Sequence, residues 1–131
     1  MPSPTQHRGT QAEQAAGEFL CAQGLTVLQR NFRRRAGELD LVARDGNVLV
    51  IAEVRLRTGR ACGRAAASIN TRKQRRIVRA AQQLLQCHPE YRRLAVRFDA
   101  LLIEGQDESV PRITWIRHAF DLQDARGRYR P

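Results

Sequence analysis

The sequence predicts an α/β domain: a mixed β-sheet flanked by helices, with elements in the order α-β-β-β-α-β. Three observations predict it. Two stretches with apolar residues at helical spacing, each opened by a T-x-x-(E/Q) frame, bracket a run of apolar segments. Between two of those segments stands Asp45-Gly46, a strong hairpin signal that makes at least one strand pair antiparallel. Helices on both sides of the β run can then cover the sheet. A chain of 131 residues suits one such domain, and at this size roughly two thirds of the unfolded surface is buried.

Residues 1–8 are expected to form a flexible arm, 9–121 a single domain and 122–131 a basic tail. The first helix is expected to start at Thr10, with Glu13 completing a capping box. Its stripe is Ala12, Ala15, Ala16, Phe19 and Leu20, and Gly24 stops it. Leu25 to Asn31 reads as a strand, followed by a basic loop at Arg33, Arg34 and Arg35. Glu38 to Arg44 and Val48 to Arg55 are the second and third strands. Residues 56–69, rich in Gly, Ala and Arg, read as a loop. The second helix starts near Asn70 or Thr71, with Gln74 in a capping box and a stripe of Ile77, Val78, Ala81, Leu84 and Leu85. Ala95 to Ile103 is the fourth strand and Ile113 to Ile116 a short fifth.

Register decides what the acids in these strands do. A two-residue turn at Asp45-Gly46 sets Ala43, Leu41 and Leu39 opposite Val48, Val50 and Ala52, one wholly apolar face. A one-residue slip would mix polar and apolar on both faces. In that register Glu38 is directly across from Glu53, with Cβ atoms about 5 Å apart, and Asp40 lies on the diagonal, about 7 Å away. Arg55, two residues past Glu53, points the same way. Two carboxylates about 5 Å apart repel by on the order of 3 kcal/mol at an effective dielectric near 20. A raised pKa, a paired cation or a bound metal ion must offset this. Oxygen donors without His or Cys nearby suit Mg²⁺ or Mn²⁺ better than Zn²⁺. The alternative is a solvated or salt-bridged sheet face, with Arg55 pairing to Glu53.

Composition narrows the partners. A net charge of +10 and a pI near 11.2 point toward a polyanion, most often nucleic acid. Of the 23 basic residues one is lysine, Lys73, and the other 22 are arginine. Cys21, Cys62 and Cys87 fit no disulfide framework or metal motif, which favours a reducing, cytoplasmic home. The apolar run Val48 to Ala52 is too short for a membrane span, and the N-terminus lacks the apolar stretch of a secretory signal. His7, His88 and His118 form no triad with a Ser or Cys. With 5% aromatic residues, base stacking is not the expected binding mode.

The ordered set of Gly9…Glu13, Asn31-x-Arg33, GELDLVARD (37–45), IAEVRLR (51–57), TRKQRRI (71–77), RFDALLI (97–103) and Trp115-Ile116-x-x-Ala119-Phe120 resembles the YraN-like family of small bacterial proteins. That family belongs to the restriction-endonuclease-like superfamily, together with archaeal Holliday-junction resolvases. The resemblance runs from about Gly9 to Phe120 and implies a restriction-endonuclease-like core. It also implies a D…(D/E)-x-K site. Asp40 would be the first metal-binding acid and Glu53 the second, Val54 would lend its carbonyl, and Arg55 would hold the lysine position. Glu13 matches a helix glutamate that can join such sites, and Lys73 a basic residue opening the second helix. The register, not the resemblance, adds Glu38 as a further supporting acid. Arginine at position 55 is a departure: it binds phosphate bidentately but scarcely gives up a proton.

The function expected on this basis is divalent-metal-dependent cleavage of nucleic acid, DNA before RNA. Asp40, Glu53 and Arg55 would be catalytic, and Arg33, Arg34, Arg35, Arg57, Arg60, Arg64, Arg72 and Arg76 would hold the backbone. Two-fold substrates of junction-resolving relatives invite a homodimer. Two rivals stand beside it: a binding module of the same fold without catalysis, and an assembly protein whose basic surface meets an acidic protein.

Overall fold

A computed structural model describes residues 4–56, 69–104 and 112–122, with side chains from residue 11 onward. The elements are helix α1 (Pro4–Ala22), strands β1 (Thr26–Arg34), β2 (Gly37–Asp45) and β3 (Val48–Leu56), helix α2 (Thr71–Cys87), a 3₁₀ turn (Pro89–Arg93), and strands β4 (Ala95–Glu104) and β5 (Arg112–Phe120). One mixed sheet has the order β1-β2-β3-β4-β5. Only β3 and β4 are parallel, joined through α2, and the other neighbours are antiparallel. The expected α/β architecture is present, with β5 running well past Ile116.

Each helix seals one apolar cluster. Ala12, Ala16 and Leu20 of α1 pack on Leu41, Ala43, Val50, Ala52, Leu101 and Ile103. Ile77, Ala80, Ala81 and Leu84 of α2 pack on Val42, Leu49, Ile51, Phe98 and Phe120. Gly24, at φ +95°, ends α1 in the left-handed region that glycine enters without steric cost, and Leu25 N–H returns to the Leu20 carbonyl at 3.0 Å.

Several expectations are corrected. Helix α1 begins at Pro4, so residues 4–8 of the expected arm are helical and Thr10 and Glu13 lie inside the helix rather than in a capping box. Proline is favoured at a first helical position, which starts the helix upstream of Thr10. Arg33 and Arg34 belong to β1, leaving Arg35 and Ala36 as the turn into β2. The reason is Phe32, whose buried ring extends the strand. Asn31, at φ +51°, breaks the alternation of β1. Arg30 therefore reaches the Glu13 carbonyl on α1, while Phe32, with Leu39 across from it, joins the α2 core. Leu39 thus leaves the apolar face expected to hold it.

The hairpin turn is Gly46-Asn47, not Asp45-Gly46. Asp45 pairs with Val48 and Leu41 with Ala52, two residues from the expected register but with the same parity. Among these residues only Gly46 has positive φ, +59°. Glycine at the first central position is the requirement of a type II′ turn, whereas type I′ would need two positive φ values.

Candidate functional site

The β2–β3 ladder ends at Leu41↔Ala52, and the same register carried one pair further sets Asp40 opposite Glu53. Beyond the last pair the next inward backbone donor, Val54 N–H, is taken by the Asp40 side chain: it donates to Oδ2 at 2.8 Å. The two carboxyls are hydrogen-bonded to each other. Asp40 is therefore fixed from two directions, and Glu53 is pinned against it at 6% exposure.

Helix α2 brings the cation. Asn70 caps it, its side chain accepting from Lys73 N–H at 2.8 Å, and Gln74 donates to the Ile69 carbonyl at 2.6 Å. The cap is thus Asn70, and Gln74 bonds backward rather than completing a box with Thr71. From this seat Lys73 Nζ reaches Glu53 Oε1 at 2.6 Å. The first turn of α2 carries no acid of its own, so its positive dipole end also favours the neighbouring carboxylates.

Burial, then the charge of Asp40, pushes the Glu53 pKa up to about 7, against the pull of Lys73. Burial also raises Asp40, opposed by Val54 N–H, the Glu53 hydrogen bond and the Lys73 charge. Both carboxyls are thus pushed toward their protonated forms, Glu53 most, and the pair titrates as a unit. Glu13, half-buried on α1, is raised by burial and then by Asp40, while a hydrogen bond with Asn31 lowers it. It stands within electrostatic reach of Asp40.

Beside the acids opens a cleft of about 480 Å³. Arg33, Arg34 and Gly37 line it from the β1–β2 hairpin and Arg72, Lys73 and Arg76 from α2, with Glu38 as the acid. The hairpin meets α2 at Gly37, where a Cβ would lie 2.7 Å from the Arg76 carbonyl oxygen, so glycine permits this closeness.

The structure brings Asp40, Glu53, Val54 and Lys73 together and gathers Arg33, Arg34, Arg72 and Arg76. Glu38 is corrected: it faces Arg33 on β1, 3.3 Å from its Nε, and is exposed, because the two-residue offset puts Asp40 rather than Glu38 across from Glu53. Arg35 is exposed in the turn and does not line the cleft. Arg55 is half-buried on β3, two residues beyond Glu53. Arg57, Arg60 and Arg64 lie outside the described residues. Asp99 is a structural residue: fully buried, it accepts from Arg97, from Trp115 Nε1 and from His118 N–H, each at 2.9 Å. Sequence reasoning missed Asn31 and Gly37. A signal existed for Asn31, since asparagine is tolerated in the left-handed region.

Among the described residues no three Asp, Glu, His or Cys side chains are grouped for a metal, and Asp40 and Glu53 are the acids that come together at this site. They fit a hard cation. Both are oxygen donors that burial makes reluctant to stay charged without a cation, and an ammonium already rests on one of them. A residue's N–H and C=O point to the same side of an extended strand, so the Val54 carbonyl faces β2 with its N–H.

The model of the uncharacterised protein family UPF0102 matches residues 12–103. The chain belongs to this family. It is 47% identical over 119 residues to the UPF0102 protein of Alkalilimnicola ehrlichii, covering 91% of this chain and 90% of that one. It is 45% identical to that of Nitrosomonas eutropha, covering 91% and 97%. It is 44% identical over 124 residues to that of Xanthomonas campestris pv. campestris, covering 95% and 99%. The resemblance to YraN-like proteins thus holds at the level of this family. No helix among the described residues is long and apolar enough to cross a membrane.

Proposed function

We propose that this UPF0102 member is a divalent-metal-dependent phosphodiesterase acting on nucleic acid, DNA before RNA, on a restriction-endonuclease-like core. One observation carries the reading: half-buried Asp40, held by Val54 N–H, and buried Glu53, in contact with Lys73, adjoin a cleft lined by arginines. Asp40, Glu53 and the Val54 carbonyl would hold Mg²⁺ or Mn²⁺. Such an ion, when bound, activates water and offsets charge on a phosphate. The chain's own residues do the rest. Arg72, Arg76, Arg33 and Arg34 grip the phosphate backbone, which gives affinity without reading sequence. Lys73 and Arg55 brace the phosphate under attack, Lys73 as a compact point charge and Arg55 as a planar fork. Glu13, on α1 and within reach of the Asp40 charge, would be a further acid beside the pair.

The test is cleavage of DNA by purified protein with Mg²⁺ or Mn²⁺. Wild type is expected to nick, and Asp40→Ala to lose nicking altogether. Equal nicking by Asp40→Ala would contradict the proposal. Arginine at position 55 favours a second reading, a nucleic-acid-binding module without turnover. It predicts binding with no cleavage in either metal, and cleavage gained by Arg55→Lys.

A further inference from the structure

We infer that Lys73 is the resident counter-ion of the acid pair, which a divalent cation displaces and which then turns to phosphate in the basic cleft. The inference rests on the reading of Asp40 and Glu53 as metal ligands and adds a coupling between metal and nucleic acid.

The geometry has three parts. Lys73 Nζ touches the buried carboxylate of Glu53 at 2.6 Å, while its own side chain is 49% exposed. Its backbone is seated independently by the Asn70 cap, so the ammonium can leave without unmaking the helix start. The same side chain lines the cleft beside Arg72 and Arg76. Lys73 thus stands at both sites and can serve one at a time.

Electrostatics sets the direction. Buried carboxylates need a nearby cation, and without a metal the ammonium supplies one charge. A dication on the same oxygens supplies two, at about 2.0–2.1 Å for Mg²⁺. It satisfies the acids and repels the ammonium at short range. The flexible four-carbon stem lets the charge swing away. Metal then adds a cation to the cleft, and metal and polyanion each raise the other's affinity by the same factor, as linkage requires.

Because Lys73 is the single lysine of the chain, ¹⁵N-lysine labelling gives one side-chain ammonium resonance to follow. In metal-free protein it is expected at an ion-paired position. Titration with Mg²⁺ should move it toward free lysine, and a short DNA oligonucleotide should move it again. Calorimetry on the same samples should show the oligonucleotide tightening Mg²⁺ binding by on the order of tenfold in wild type, and Lys73→Gln should lose most of that gain. A lysine resonance that stays put while calorimetry shows Mg²⁺ saturating the site would overturn the inference and leave the metal site standing. Wild type that binds no Mg²⁺ would end both.

Discussion

Glu53 is a carboxyl placed where water cannot solvate it, and its proton is the consequence. Burial and Asp40 raise its pKa from 4.5 to about 7. Between those values the folded chain holds a proton that the unfolded chain releases. The associated stability is fully present below the unfolded value and is lost as pH rises through the folded one. The change is on the order of 3 kcal/mol. Metal-free protein should therefore lose urea resistance between about pH 5 and pH 8. Glu53→Gln removes the buried charge and keeps an amide that can donate to Asp40. It should stabilise the metal-free protein by about 1–2 kcal/mol at pH 8, and by little at pH 5. A flat pH profile in wild type would mean that the carboxyl is solvated after all.

Two element contacts hold this arrangement. At Gly37 the β1–β2 hairpin touches the backbone of α2, and a methyl group there would meet the Arg76 carbonyl oxygen at 2.7 Å. Gly37→Ala should cost about 1–3 kcal/mol in urea unfolding, as overpacking does, and should shift α2 with Lys73 away from Glu53. On β5, Asp99 ties the edge strand down through Trp115 and His118. Asp99→Ala strands buried donors and should cost about 3 kcal/mol or more by the same measurement. The elements themselves were legible in the sequence. Apolar spacing at Ala12, Ala16 and Leu20 and at Ile77, Ala81 and Leu84 marked the faces that are buried. The parity of the β2–β3 register was legible as well, because a one-residue slip exposes a core face. Its two-residue offset was not, since moving the turn from Asp45-Gly46 to Gly46-Asn47 preserves both faces. Whether Glu38 or Asp40 opposed Glu53 hung on that offset. Lys73 could be singled out as the chain's one lysine, but its place on Glu53 depends on how the β3–α2–β4 crossover packs, and no local pattern encodes that.

Across the whole molecule, a chain of net charge +10 keeps half-buried Asp40 and buried Glu53 beside a cleft of arginines. A polyanion bound there should release counter-ions, so affinity should fall steeply with salt. Arg72→Ala and Arg76→Ala should each lower the slope of log affinity against log salt by about one, without changing sequence preference. If Asp40 and Glu53 hold a divalent cation as proposed, their raised pKa values tie its binding to the loss of a proton. The most direct measurement is calorimetric titration of Mg²⁺ into wild type beside Asp40→Ala at neutral pH, in buffers of different ionisation heat. The account predicts saturable binding with proton release in wild type and none in Asp40→Ala. Equal heats from the two proteins would contradict it.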